Sequence, residues 1–297
     1  MKRKLTLVTS AILTVYTSFT LVDTFMLQHS GTAIATSTQT VKKTAKKDSS
    51  TVKKTATSYE DSHMSINVTT ERVDGTTVYV ADITVDDPSL LQTALANNTY
   101  GRNYTEKTSS MASEHNAIFA INGDYYGFRD TGYVVRNGTL YRDTVATDTD
   151  ALVIDSDGNM KSVNQSDETA SELLKNGAQQ VLSFGPTLVE NGKVTVSEDA
   201  EVGQSQASNP RTAIGQVGKN HYVVVVSDGR TSESTGLSLY QLANVMKKHG
   251  ATYAYNLDGG GSSTMVLNGK VINNPVGGSG QSSERAVSDM LYFGYSE

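Results

Sequence analysis

Neither cysteine nor tryptophan occurs among the 297 residues, and only four prolines do. Without thiols there is no disulfide, no thiolate nucleophile and no thiolate metal ligand in any redox compartment, so stability must come from packing alone. Histidine is scarce as well. His29, His63, His115, His221 and His249 are scattered along the chain in no zinc-ligand spacing. Asp155-Ser156-Asp157-Gly158-Asn159 has the opening of a calcium loop, but the twelfth position is Ser166 rather than a bidentate Glu, so it reads as a hairpin turn. No Walker loop ending in Gly-Lys-Ser/Thr and no Gly-x-Ser-x-Gly elbow is present, which argues against P-loop and serine-hydrolase chemistry. No cofactor is called for, and a divalent cation is left open.

Positive charge is thin over most of the chain. Nine of the 25 Lys and Arg but only two of the 31 Asp and Glu lie in residues 1–58, which leaves 16 basic against 29 acidic residues in 59–297, a net of −13. Such a body repels nucleic-acid phosphates, and a nucleic-acid partner is excluded.

The early basic residues are arranged with purpose. Met1-Lys2-Arg3-Lys4 precedes residues 5–27, which carry no charge except Asp23. As a helix this run would be about 34 Å long, enough for a bilayer core, and the cations keep the amino end in the cytoplasm. Residues 1–35 are thus expected to be a signal anchor or signal peptide, with the membrane as partner and the remainder extracytoplasmic. The length favours an uncleaved anchor, while Ala33-Ile34-Ala35 offers a small-x-small cleavage signal. Residues 36–62 are expected to be a disordered Ser/Thr/Lys-rich linker, since 36–58 hold six Lys, one Asp and no aromatic ring. Its Lys pairs suit a solvated spacer, or adhesion to anionic lipid or wall phosphates. Residues 63–297 are the expected catalytic domain.

Within that domain, residues 78–85 alternate as a strand does, and Asp87-Pro88 predicts a short helix running on through Leu90, Leu91 and Leu95. A second, weaker helix is expected over 104–114. Asn137-Gly138, Asp157-Gly158, Asn191-Gly192 and Asn268-Gly269 are hairpin signals between strand-like runs. Ser238 and Gln241 form a capping box for a helix with Leu239, Leu242, Ala243 and Met246 on one face and Gly250 as its stop. The mix predicts an α+β domain with a largely antiparallel β-sheet core and a few packed helices.

Two apolar strands, 117–121 and 251–257, deliver an Asn-x-Asp pair, Asn122/Asp124 and Asn256/Asp258, where catalytic polar groups often emerge. An Asp at such a place is otherwise a turn cap. Gly259, Gly260 and Gly261, followed by Ser262, Ser263 and Thr264, offer backbone N–H groups and hydroxyls that suit an oxyanion; a glycine triplet alone is more often a tight turn. Arg211 at the start of a strand and Arg230 after Asp228-Gly229 are candidate phosphate forks, or else surface ion-pair partners.

In order, INGDYYGF at 121–128, NPRTAIG at 209–215, VSDGR at 226–230, GLSLYQLA at 236–243 and NLDGGGSSTM at 256–265 form a specific series over about residues 78–294. The series resembles the phosphodiester glycosidase family, which includes the animal mannose 6-phosphate uncovering enzyme, and especially its bacterial members of the exopolysaccharide-biosynthesis type. The resemblance implies hydrolysis of a sugar 1-phosphodiester to the sugar and a phosphomonoester, on a phosphate-containing glycan. It implies that Asp124, Arg211, Asp228, Asp258 and the Gly259 to Thr264 loop line the pocket. The residues after Asn122-Gly123 depart from the animal enzyme. A phosphate leaves as a stabilised anion, so charge neutralisation by Arg outweighs protonation, and a carboxylate, Asp258 or Asp124, must stabilise the cationic sugar carbon. Two other functions fit the same residues: a non-catalytic glycan-binding or polysaccharide-assembly factor, and hydrolysis at phosphorus.

Overall fold

A computed structural model describes residues 2–37, 52–200, 208–277 and 283–295. Among these residues the strands form sheets of nine, six, five and two members, mostly antiparallel, with four α-helices, so the domain is α+β and sheet-rich. The hairpin signals hold. Asn137-Gly138, Asn191-Gly192 and Asn268-Gly269 take positive φ at both residues and join paired strands. Asp74-Gly75 (φ 46° and 77°) makes the same turn in the hairpin between Met64–Val73 and Thr76–Val85, a signal of the same kind that sequence reading passed over.

The strand His221–Ser227 lies inside the nine-stranded sheet between Arg211–Gly218 and Thr76–Val85. Both its faces are covered. Val224 and Val226 enter one core while Val223 and Val225 enter another, which is why the sequence there is continuously apolar rather than alternating. The helix Leu239–Lys248 closes the second core, capped by Ser238 and Gln241 as expected. Leu242, fully buried there, should cost about 2–5 kcal/mol on truncation to Ala. Denaturant unfolding measures this, and activity per folded molecule should stay the same.

Two expectations change. Asp87-Pro88 opens only a single turn, Pro88–Leu90, with the Asp87 carboxylate accepting from Ser89 N at 2.9 Å. Leu91–Leu95 is then a strand, because it pairs residue for residue with Asp289–Phe293 across the five-stranded sheet. The helix expected over 104–114 is Thr108–Glu114. Ala170–Lys175, capped by Thr169 and Glu172, is an additional helix whose Thr-x-x-Glu signal was available in the sequence.

At the amino end, Lys2–Phe25 is helical. No helix among the described residues is long and apolar enough to cross a membrane, so the reading of residues 5–27 as a span gains no support from this helix. Eight Thr and Ser side chains interrupt that run. Those of Thr14 and Thr20 bond to the carbonyls of Ser10 (2.9 Å) and Tyr16 (2.8 Å) one turn back. Beyond the helix, His29–Ser30 pairs with Gly101–Arg102 and Ala35–Thr36 with Thr139–Leu140. Of the expected linker, 38–51 lie outside the described residues. Its later part is ordered sheet: Lys53–Lys54 and Ser58–Glu60 are the outermost strands of the nine-stranded sheet, and Tyr59 is fully buried. The boundary at residue 63 is corrected accordingly, since one buried aromatic ring and a ladder onto Met64–Val73 hold this stretch in place.

Candidate active site

Register brings the sequence motifs to one end of the nine-stranded sheet. Arg211 lies opposite Ser227, and Ala213 opposite Asn256, so one strand starts where its two neighbours finish. Phe119–Asn122, from the five-stranded sheet, ends at the same place. Its Asn122 donates to the Asp258 carbonyl (2.6 Å) and accepts from Thr212 Oγ1 (2.9 Å) and Thr264 N (3.2 Å). The amide of Asp258 in turn donates to the Gly123 carbonyl at 3.2 Å. Asn122 is therefore a fully buried clasp between the two sheets and the Gly-rich loop.

That loop is built differently from an open anion nest. Gly259 N donates to Asp258 Oδ1 (2.9 Å), Gly260 N to the Pro210 carbonyl (2.8 Å), and the amides of Ser262 and Ser263 close turns onto Gly259 and Gly260 (3.2 Å each). With Thr264 N bound to Asn122, five of the expected oxyanion donors are already used. Glycine is favoured at 260 by its φ of 61°, in the left-handed region. The loop's work is to aim Asp258 and Ser262.

Both line a cleft of about 180 Å³. Asp258 Oδ2 accepts from Ser262 Oγ (2.6 Å) and from Arg285 Nη2 (3.1 Å), and Arg285 Nε donates to Ser262 Oγ (3.0 Å). Burial pushes the Asp258 carboxyl above its ordinary range, opposed by Arg285, Ser262 and the Gly259 N–H. Arg285 is half-exposed, its side chain 42% accessible, so it reaches from the carboxylate towards solvent. Tyr125 and Phe128, stacked on each other, line the same cleft. Asp258 is the only carboxylate among the described lining residues.

The other candidates are not among the described residues lining this cleft. Asp124 is fully buried, paired with Arg136 at 2.9 Å and accepting from Ser183 N (2.7 Å) and Tyr126 N (3.1 Å). Asp289 grips the same guanidinium at 2.8 Å. Asp228 accepts from Asn274 N (2.8 Å) and the Tyr79 hydroxyl (3.2 Å), and burial raises its pKa against those bonds. Arg211 is buried with Nε on the Leu237 carbonyl (3.0 Å), and Arg230 binds Asn209 Oδ1 (3.0 Å) beside Gly260. Asn256 donates to the Gly185 carbonyl (2.8 Å), and Ser263 and Thr264 are buried. Of the expected set, then, Asp258 and Ser262 line the cleft, while Asp124, Asp228, Arg211 and Asn256 are buried and are not among its described lining residues. Among the described residues no three His, Asp or Glu are grouped to hold a metal ion.

Arg285, Arg136 and Asp289 escaped sequence reading because no local motif marks them; each acquires meaning only from partners far along the chain. Two carboxylates around one buried guanidinium leave an excess negative charge. Burial and then the charge of Asp124 outweigh Arg136 and push Asp289 up to about 7. The native state thus keeps a proton that an unfolded Asp, at 3.8, releases. The contribution of this group to stability is full at low pH and is lost as pH rises from about 4 to about 7. Melting across that window should fall more steeply for the wild type than for Asp289→Asn, and parallel curves would remove the effect.

The fold is thus a sheet-rich α+β domain whose motifs converge at strand ends, with Asp258 and Arg285 lining one cleft. Residues 115–294 match the sequence model of the phosphodiester glycosidases, and the chain belongs to the phosphodiester glycosidase family. Among similar proteins, the SPbeta prophage-derived uncharacterized protein YomE of Bacillus subtilis (strain 168) is 34% identical over 66% of this chain and 31% of its own length. N-acetylglucosamine-1-phosphodiester alpha-N-acetylglucosaminidase of Bos taurus is 35% identical over 32% of this chain and 20% of its own. The chain thus spans about a third or less of these relatives. The zebrafish N-acetylglucosamine-1-phosphodiester alpha-N-acetylglucosaminidase catalytic domain, auto-inhibited by its pro-peptide, shares the fold. Its TM-score is 0.62 at 22% identity, covering 91% of this chain and 89% of that one.

Proposed function

We propose that the protein hydrolyses a sugar 1-phosphodiester of a cell-envelope or exopolysaccharide glycan, releasing the sugar and a phosphomonoester. The observation that carries this is Asp258 lining a cleft beside Arg285, with no second carboxylate among the described lining residues. Most glycosidases need two carboxylates because one must protonate a poor leaving group. A phosphomonoester leaves as a stable anion, so one carboxylate suffices if a cation takes up the charge. Asp258 stabilises the cationic C1, as nucleophile or as base to water, while Arg285 neutralises the departing phosphate. The C1–O bond breaks with its electron pair going to the phosphate oxygen, and water supplies the new hydroxyl of the sugar.

The test is a panel of sugar 1-phosphodiesters in oxygen-18 water, with and without chelator. Label in the released sugar supports the reading. Label in phosphate moves the attack to phosphorus, and binding without turnover leaves a glycan-binding protein.

The same reading places the domain outside the cytoplasm. The basic start, the weakly charged run after it and the lysine-rich stretch beyond support this address. Protease added to intact cells should degrade the domain; protection until lysis would reject the topology.

A further inference from the structure

We propose that Tyr125 and Phe128 form the platform that receives the apolar face of the sugar ring, with Arg285 holding the phosphate end; this rests on the hydrolytic reading above. Three observations meet at this wall. Phe128 is 38% exposed, and with Val145 it is one of only two exposed large hydrophobic side chains in the described part of residues 52–295. Folding does not account for an aromatic ring left in water at the mouth of a cleft.

Second, Tyr125 has φ 70° and ψ 22°. A bulky residue in the left-handed region is disfavoured, and such strain is kept where the surroundings hold a side chain in a required place. Third, the two rings are already ordered: they stack face to face with centroids 4.7 Å apart and planes 20° from parallel, so Tyr125 backs the Phe128 ring, which stays open to the cleft mouth. The Arg129 guanidinium lies 5.7 Å from the Tyr125 ring centre and 4.8 Å from that of Phe184, which fixes the pair from one side.

Asp258, Ser262 and Arg285 line the same cleft. Its wall is therefore part aromatic and part charged. A pyranose has matching halves: C–H bonds on one face, whose slight positive charge suits an aromatic π face, and at C1 a phosphate that suits a guanidinium. The volume of about 180 Å³ is below the several hundred typical of drug-sized ligands, so it fits one ring rather than a run of sugars. With the ring on the platform and the phosphate towards Arg285, C1 faces Asp258.

Saturation-transfer NMR with free N-acetylglucosamine, glucose, galactose and mannose tests the platform, and phosphorus line broadening with inorganic phosphate tests the charged part of the wall. The wild type should transfer magnetisation to the ring C–H protons of at least one sugar. Phe128→Ala and Tyr125→Leu should cut that transfer about fivefold with phosphate broadening retained; Arg285→Gln should do the reverse. No transfer to any sugar, transfer undiminished in Phe128→Ala, or joint loss of sugar and phosphate in that variant would overturn the proposal. Sugar contact that depends on Phe128 without turnover of any phosphodiester would sink the hydrolytic reading and leave the platform standing. Turnover with no effect of Phe128 on sugar contact would do the opposite.

Discussion

Asp258→Asn is expected to lower kcat on the order of 10³-fold or more while KM changes only a few-fold. Asn keeps the size of the side chain, and its carbonyl oxygen can still accept the Gly259 N–H that now bonds to Oδ1 at 2.9 Å. What it loses is the negative charge that the proposed mechanism sets against the sugar carbon, a charge useful mainly when that carbon becomes cationic. Arg285 loses its partner but is exposed enough to turn into water, so the fold should survive. Steady-state kinetics on protein with unchanged melting is the measurement. Full turnover by the folded variant would falsify the assignment of Asp258 and weaken the case for chemistry in this cleft.

Arg136→Met should have the largest effect on stability. Its guanidinium is fully enclosed between Asp124 and Asp289, at 2.9 and 2.8 Å. Burial works against its charge, but the two carboxylates prevail and raise its pKa above the usual value. Removing one member of a buried ionic network leaves the others uncompensated and costs about 3–5 kcal/mol. For a domain of this size that is a drop of about 10 °C in melting. Asp289 can relieve part of the loss by taking up a proton, so the deficit should be smaller at pH 5 than at pH 8. Denaturant unfolding of both proteins at the two pH values measures this. A deficit below 1 kcal/mol at both would mean that the network contributes little.

These two cases also show what a sequence can and cannot disclose here. The hairpins and the Ser238-capped helix were legible because Asn-Gly turns and capping boxes are decided within a few residues. The convergence of Asn122, Arg211, Asp228 and Asp258 at strand ends was legible too, since apolar strands ending in polar residues announce themselves. The division of labour among them was not. Asn122 ends its strand and Asp124 follows two residues on, yet both turn into the interior, towards partners more than fifty residues away such as Thr212, Asp258 and Ser183. Arg285, which does reach the cleft, sits in an ordinary polar stretch. Leu91–Leu95 was read as helix for the same reason: the strand that makes it a strand, Asp289–Phe293, lies at the far end of the chain.

The outermost strands of the nine-stranded sheet bear on self-association. Met64–Val73 is ten residues long and turns Met64, Ile66 and Val68 inward. Left as the rim, it would offer another chain a long row of unpaired backbone groups. Ser58–Glu60 covers part of that row, and the final position falls to Lys53–Lys54, two exposed cations on a strand too short to template a neighbour. The lysines that seemed mere spacer thus act as gatekeepers against edge-to-edge aggregation. A chain shortened to begin at residue 63 would lose them and should sediment as oligomers, whereas one beginning at residue 52 should stay monodisperse.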